Sequence, residues 1–316
     1  MSSNTASSED QYFVPAPSAL PFALTVGLTL FVIGLIQVME GGATMPPTLF
    51  LGIAISTVFI FWWFWKIIAE SEGGLYGPKV DMTYRWAMGW FIFSEVMFFA
   101  AFFGALLYVR WLAGPWLAGE GEGGRMNFLL WEGFEYTWPP VTTPQEVVGG
   151  ALSQPIANNG AFVSQHTSMS FADAQAWYAW LPLWNTIILL TSSVTCEFAH
   201  RGLSQGNIKK FEAWLAVTVG LAIIFLFLQA AEYYEAYELF GLTLNSGIYG
   251  STFFMLTGFH GFHVAMGMTM LLIQLIRSVR NKHMTPTDHF GFSASSWYWH
   301  FVDVVWVFLF IFVYII

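Results

Sequence analysis

Seven times along this chain about twenty residues pass almost without a charged side chain. Crossing roughly 30 Å of hydrocarbon as a helix takes about 20 apolar residues, and inside lipid only helices and closed barrels satisfy their own backbone hydrogen bonds. The stretches Ala19–Met39, Pro47–Lys66, Trp86–Tyr108, Trp177–Cys196, Ala213–Ala231, Gly247–Ile276 and Trp297–Ile316 meet that requirement. The sequence therefore predicts an all-α integral membrane protein with seven transmembrane helices. Composition agrees: 56% of residues are hydrophobic and 10% charged, whereas a soluble domain carries about 25% charged residues. The sixth stretch is long enough to tilt or to protrude.

Basic residues orient these spans. Lys66, Lys79 and Arg85 flank the second and third stretches, Arg201, Lys209 and Lys210 the fourth and fifth, and Arg277, Arg280 and Lys282 the sixth and seventh. The alternate connections carry only Arg110 and Arg125. Cytoplasmic loops collect Lys and Arg, so the N-terminus is expected inside and Ile316 outside. Residues 1–18 contain no Lys or Arg and so lack the marks of a signal or transit peptide. A bacterial inner membrane, or organelle-encoded synthesis, fits that better than an imported precursor. The organisation expected is an N-terminal cytoplasmic segment (1–18), a first two-helix region (19–70) and a second region (71–316). A long outer connection at about 111–176 is rich in Gly, Pro, Ser and Asn. Connections of this length are often functional; a partner surface and a passive insertion are both open.

Ionisable groups at bilayer depth cost several kcal/mol and normally face protein or water. Glu95 lies deep in the third stretch, Glu232 at the end of the fifth, His260 and His263 three apart in the sixth, and His300 and Asp303 three apart in the seventh. They suit either a proton or metal site or interhelical hydrogen bonding, each bond worth about 1 kcal/mol. Redox centres are poorly served. The apolar stretches offer only His260, His263 and His300, and the single Cys196 excludes a paired-cysteine copper site. No haem, copper or other metal is expected in this chain, and nothing in its net charge of −9 suggests nucleic acid.

Longer motifs add a resemblance. Gln229-Ala-Ala-Glu-Tyr-Tyr-Glu-Ala236, Gly250-Ser-Thr-Phe-Phe254, Thr257-Gly-Phe-His-Gly-Phe-His-Val264 and Trp297-Tyr-Trp-His-Phe-Val-Asp-Val-Val-Trp306 follow one another in order. Upstream stand Arg85, Phe93-Ser-Glu-Val-Met-Phe-Phe99, Trp138-Pro-Pro140 and Leu183-Trp-Asn-Thr186. Together they resemble subunit III of the haem-copper cytochrome c oxidases, over residues 12–316 apart from part of the long connection.

The resemblance implies two helices separated from five by a V-shaped cleft that holds phospholipid. It implies a subunit without haem or copper that docks on catalytic subunit I, beside subunit II, in a complex served by cytochrome c, with haem a and copper in those partners. Glu95 matches the family's carbodiimide-reactive glutamate. Trp65, Glu70, Arg85, Arg277, Arg280 and His283 match positions near lipid headgroups. The chain departs from the family pattern after Glu70, where it reads Glu72-Gly-Gly-Leu-Tyr-Gly77. Acids and a histidine near the inner face (Glu70, Glu72, Asp81, Asp288, His283) suit a proton-collecting antenna or a plain solvated rim. Two rivals remain: the quinol-oxidase form of the same subunit, which usually lacks the first two helices, and an independent proton channel or transporter built on Glu95.

Overall fold

The computed structural model of the protein describes residues 12–40, 45–140, 144, 147, 168–174, 176–281, 284–285 and 289–316. Among them run seven long helices: α1 (Leu20–Met39), α2 (Pro47–Glu72), α3 (Pro78–Tyr108), α4 (Leu181–Ser204), α5 (Ile208–Tyr234), α6 (Gly247–Asn281) and α7 (Phe290–Leu309). Prolines mark several starts: Pro47 and Pro78 open α2 and α3, and Pro21 and Pro182 sit in the first turns of α1 and α4. A proline there loses no helical hydrogen bond, because the first N–H groups have no partner in any case. This is why α4 begins at Leu181 rather than at the expected Trp177, which lies in a separate 3-10 turn, Trp177–Ala179. At the start of α5, the Asn207 side chain accepts a hydrogen bond from the backbone N–H of Lys210. Helix α7 starts seven residues before the expected Trp297, because the small polar run Ser293-Ala-Ser-Ser296 is itself buried and helical. Helices α3, α5 and α7 pass at their C-terminal ends into π-helical turns, Val109–Ala113, Glu235–Leu239 and Phe310–Ile315.

Six helical segments among the described residues are long and apolar enough to cross a membrane: Leu20–Val38, Pro47–Glu72, Pro78–Leu117, Ile208–Leu239, Gly247–Arg280 and Phe290–Ile315. Helix α4 has the length, at 24 residues, but Asn185, Thr186, Thr191, Ser192, Ser193, Thr195 and Glu197 dilute its apolar character.

The chain divides into two compact units, Met1–Ala87 and Met88–Ile316, with the boundary inside α3. In the first, α1 and α2 pack backbone to backbone. A Cβ added to Gly34 would lie 2.5 Å from the Leu49 backbone, and one on Gly52 would lie 2.3 Å from the backbone nitrogen of Phe31. Small residues at these positions let dispersion act between helices that have no hydrophobic drive to associate in lipid.

The second unit is held by large side chains. Helix α7 supplies its centre, with Trp299 and Trp306 fully buried and Tyr298 and Tyr314 beside them. Helix α3 meets α6 and α7 through rings: Phe98 stands edge-on to Phe259 at 4.9 Å between centroids, and Phe99 contacts Phe301 at 6.2 Å. Of the long connection, residues 111–140 form short helical turns at Gly114–Leu117, Glu122–Met126 and Asn127–Leu130. The chain then returns to the bundle, where Trp138 packs edge-on against Tyr249 at 5.6 Å and beneath the Arg110 guanidinium at 5.1 Å. Tyr136 donates to the Arg110 carbonyl, and burial pushes its phenol up to about 12.

Candidate functional site

The embedded polar residues do not gather at one point. They form three separate arrangements in the second unit. The first joins α3 to α6. His263 Nδ1 lies 2.6 Å from the Phe259 carbonyl oxygen, one turn back on its own helix. A carbonyl only accepts, so Nδ1 carries a hydrogen. His263 Nε2 lies 3.0 Å from Glu95 Oε2. That contact holds one proton, either on the imidazole facing a carboxylate or on the carboxyl facing a neutral ring. Either way the pair is neutral as a whole, which removes most of the cost of placing two ionisable groups at this depth. Phe99, Phe262, Tyr298 and Phe301 surround the imidazole, with Tyr298 stacked at 6.2 Å.

The second arrangement secures Glu232, which is 0% exposed. Asn185 Nδ2 of α4 donates to one carboxyl oxygen at 3.0 Å, and the Tyr314 hydroxyl, in the turn after α7, donates to the other. One side chain thereby ties together α4, α5 and the end of the chain's last helix. The sequence singles out Glu232 but not its partners. Asn185 was legible only as part of Leu183-Trp-Asn-Thr186, and Tyr314 carried no signal.

The third arrangement runs along the α4–α7 contact as a ladder. Trp306 Nε1 donates to Thr186 Oγ1 at 2.9 Å, Trp299 Nε1 donates to Ser192 Oγ at 3.1 Å, Ser193 Oγ meets His300 Nδ1 at 2.9 Å, and Cys196 Sγ meets Ser296 Oγ at 3.6 Å. Asp303 Oδ2 is 3.5 Å from His300 Nδ1. His260 belongs to the other side of α7: its Nε2–H donates to the Val302 carbonyl at 3.2 Å, and its ring packs against Trp306 and Phe225. The two histidines of α6, adjacent in sequence pattern, thus serve different neighbours. Among the described residues no three His, Cys, Asp or Glu side chains converge as a metal would require.

The residues matched to lipid headgroups divide between the units. Trp65 is 73% exposed. Glu70 accepts from the Tyr76 hydroxyl at 2.8 Å and lies 3.9 Å from Lys66 Nζ, while Tyr84 donates to Tyr76 at 3.3 Å. Burial, with the hydrogen bonds to Tyr84 and Glu70, raises the Tyr76 phenol above its ordinary value. The unusual Gly73–Gly77 segment is what makes this possible: Gly74, at φ +70°, turns the chain so that Tyr76 folds back on Glu70. Arg85 pairs with Asp81 at 2.7 Å. In the second unit Arg277 Nη1 donates to Gln274 at 3.2 Å and Arg280 is exposed at the end of α6. His283 and Asp288 lie outside the described residues. A cavity of about 650 Å³ opens within the first unit, walled by Leu20, Leu24, Ile60, Trp63 and Phe64, with Lys66 and Glu70 at its margin. Of the two α2 residues matched to headgroups, Glu70 borders this cavity and Trp65 lies on the opposite face of the helix. The spacing of Ile60, Trp63, Phe64 and Ile67 was the signal for the cavity wall.

The class defined by this fold and these sites is a multi-pass helical membrane protein whose embedded polar groups tie helices to one another. A sequence profile described as Cytochrome c oxidase subunit III matches residues 10–113 and 176–316. Cytochrome c oxidase subunit 3 of Oryctolagus cuniculus is 35% identical over 91% of this chain and 90% of its own length. The proteins of that name from Rhinoceros unicornis and Didelphis virginiana are each 34% identical over 91% of this chain, covering 90% and 83% of their own lengths. The chain belongs to the cytochrome c oxidase subunit III family. Apart from residues 1–9, the unmatched residues are 114–175, which lie within the long connection.

Proposed function

We propose that this chain is a non-catalytic accessory subunit of a proton-pumping haem-copper cytochrome c oxidase in a bacterial inner membrane. It stabilises catalytic subunit I beside subunit II, binds phospholipid and supports proton uptake. Haem a and copper reside in the partners, and cytochrome c serves the complex. The observation that carries this reading is the use of the embedded polar groups. Glu232, His260, Ser192 and the two buried tryptophans are all engaged between helices of this chain, as a scaffold requires. The apolar cavity bordered by Lys66 supports phospholipid binding, since a cation at the inner border of a helix can pair with a phosphate while acyl chains fill apolar space.

Helix α4 serves as the seventh span in this reading. Its 24 residues extend about 36 Å; Thr186, Ser192 and Ser193 bond to α7, and Asn185 and Thr195 to α5. The N-terminus is then inside and the C-terminus outside. The two-helix plus five-helix arrangement around a lipid-holding cleft, which the resemblance implies, belongs to the same proposal. The presence of α1 and α2 favours cytochrome c over quinol as donor. A channel built on Glu95 has less support: among the described residues the Glu95–His263 pair meets only aromatic rings and the Phe259 carbonyl.

Deleting the chain from its oxidase tests the proposal. The expected remainder keeps its a-type haem absorbance but inactivates sooner during turnover. Loss of the haem signals from a fully assembled remainder, or a redox metal bound by the isolated chain, overturns it.

A further inference from the structure

The residues that the family profile leaves out begin at Gly114, and they fold back on the end of α3. That helix runs on through its π-helical turn to Leu117. Trp116 stands edge-on to Tyr108 at 6.1 Å between centroids, and Gly123 packs against the Trp116 ring. A Cβ on Gly124 would overlap the Gly119 backbone. Asn127 Nδ2 donates to the Leu117 carbonyl at 2.6 Å, and the Tyr136 ring lies on Gly114. Residues 114–136 are thus a small folded cap on one helix end.

One edge of this cap is apolar. Met126, Phe128, Leu129 and Leu130 are all exposed; Phe128, at 72%, is as bare as Phe227 on the apolar surface of α5, at 73%. No charge interrupts the run between Arg125 and Glu132. Glu120, Glu122, Arg125, Glu132 and Glu135 are exposed on either side of it.

The helix beneath the cap sets its height in the bilayer. Arg85 and Arg110 bracket a stretch of α3 about 37 Å long, which spans the roughly 30 Å of hydrocarbon with one cation at each border. Gly114 and Leu117 then stand about 6 and 10 Å beyond Arg110, and the headgroup layer extends about 5–7 Å past the hydrocarbon on each side. From Asn127, tied to the higher level, the chain descends to Tyr136 at the lower. The apolar run opens that descent, beside the headgroups. Just below it, Tyr108 and Trp111 are exposed, as an aromatic belt is at that border.

We propose that Phe128, Leu129 and Leu130 insert into the bilayer at the boundary of headgroups and acyl chains, on the membrane face where α3 ends. Lipid is the occupant because the run continues the exposed aromatic end of a membrane span. Its charges also part to either side of the apolar residues, as they do in segments that lie in the interface. The flanks carry four glutamates and one arginine, so anionic lipid offers no attraction and apolar area alone drives the insertion. Anchored this way, the cap fixes the depth of α3. The inference goes beyond the accessory-subunit reading and needs only that α3 crosses the membrane.

The test compares Phe128→Cys with Glu122→Cys, each carrying an environment-sensitive fluorophore, in the complete complex in phosphatidylcholine vesicles. Cys196, the single cysteine of this chain, is buried, and labelling of other chains is read from the parent complex. At position 128 the emission is expected to shift to the blue, to be lost with lipids bearing a nitroxide near the headgroup, and to withstand aqueous iodide. At position 122 the reverse is expected. Adding phosphatidylglycerol or salt should change neither result. Equal quenching of both labels by iodide overturns the insertion. Protection of position 128 from both quenchers, or capture of another protein chain by a photo-crosslinking residue at Leu129, overturns it too, since protein then covers the run. So does a requirement for phosphatidylglycerol.

Discussion

The two units use opposite means to hold helices together. In the first, α1 and α2 approach until glycine is the only residue that fits, and their contact contains little polar chemistry. In the second, α7 stands against α4 across tryptophan side chains that are fixed by hydrogen bonds to Thr186 and Ser192, while Glu232 of α5 bonds both to α4 and to the turn after α7. In lipid both routes are open, because apolar surface alone gives helices no reason to prefer each other over acyl chains. The glycine contact is cheap in sequence but has no directional element. The hydrogen-bonded contact fixes register, since each donor has one acceptor and a slip of one residue leaves both unpaired.

Substitutions can break that contrast. The largest effect is expected from Glu232→Leu, which strands the Asn185 amide and the Tyr314 hydroxyl inside the bundle, at about 2–5 kcal/mol for the two together. Thermal unfolding of the purified complex should fall steeply, whereas Glu232→Gln, which can still accept, should stay close to the parent. Next comes Gly52→Leu. Its Cβ must displace the Phe31 backbone, at about 1–3 kcal/mol, and engineered disulfide crosslinks between α1 and α2 should form less readily, with the second unit's stability unchanged. Smaller still is Ser192→Ala, which removes the acceptor for Trp299 at about 1 kcal/mol; a shift in tryptophan fluorescence should accompany the loss. If Glu232→Leu proved no more costly than Ser192→Ala, the distinction between the units would rest on ring packing rather than on polar locks.

Much of the fold was legible because membrane helices announce themselves by length and by missing charges. The ends were less so. Helix α6 continues to Asn281 and α2 to Glu72, since polar residues continue a helix once it leaves hydrocarbon and only a turn, such as that at Gly73-Gly74, stops it. Among the site residues, rarity at depth exposed Glu95, His263, Glu232 and His300. Their partners Ser193 and Tyr314 were common residue types in unremarked positions, and Asn185 entered only within a longer motif. On α2, Trp65 faces away from the cavity that Trp63, Phe64 and Glu70 line, because neighbours in sequence point to different faces of a helix.

By itself the sequence determined that the chain lives in lipid and which few ionisable groups must find protein around them. Those follow from one-dimensional quantities: stretch length, charge count and transfer cost. Only the tertiary structure decided that His263 takes Glu95 while His260 takes a carbonyl, and that Tyr314 closes over Glu232. It also decided that α4 turns Asn185, Ser192 and Thr195 inward and leaves Leu190 and Val194 exposed. Hydrogen-bond partners are chosen by the few ångströms between side chains on different helices, and no spacing along a single chain encodes that distance.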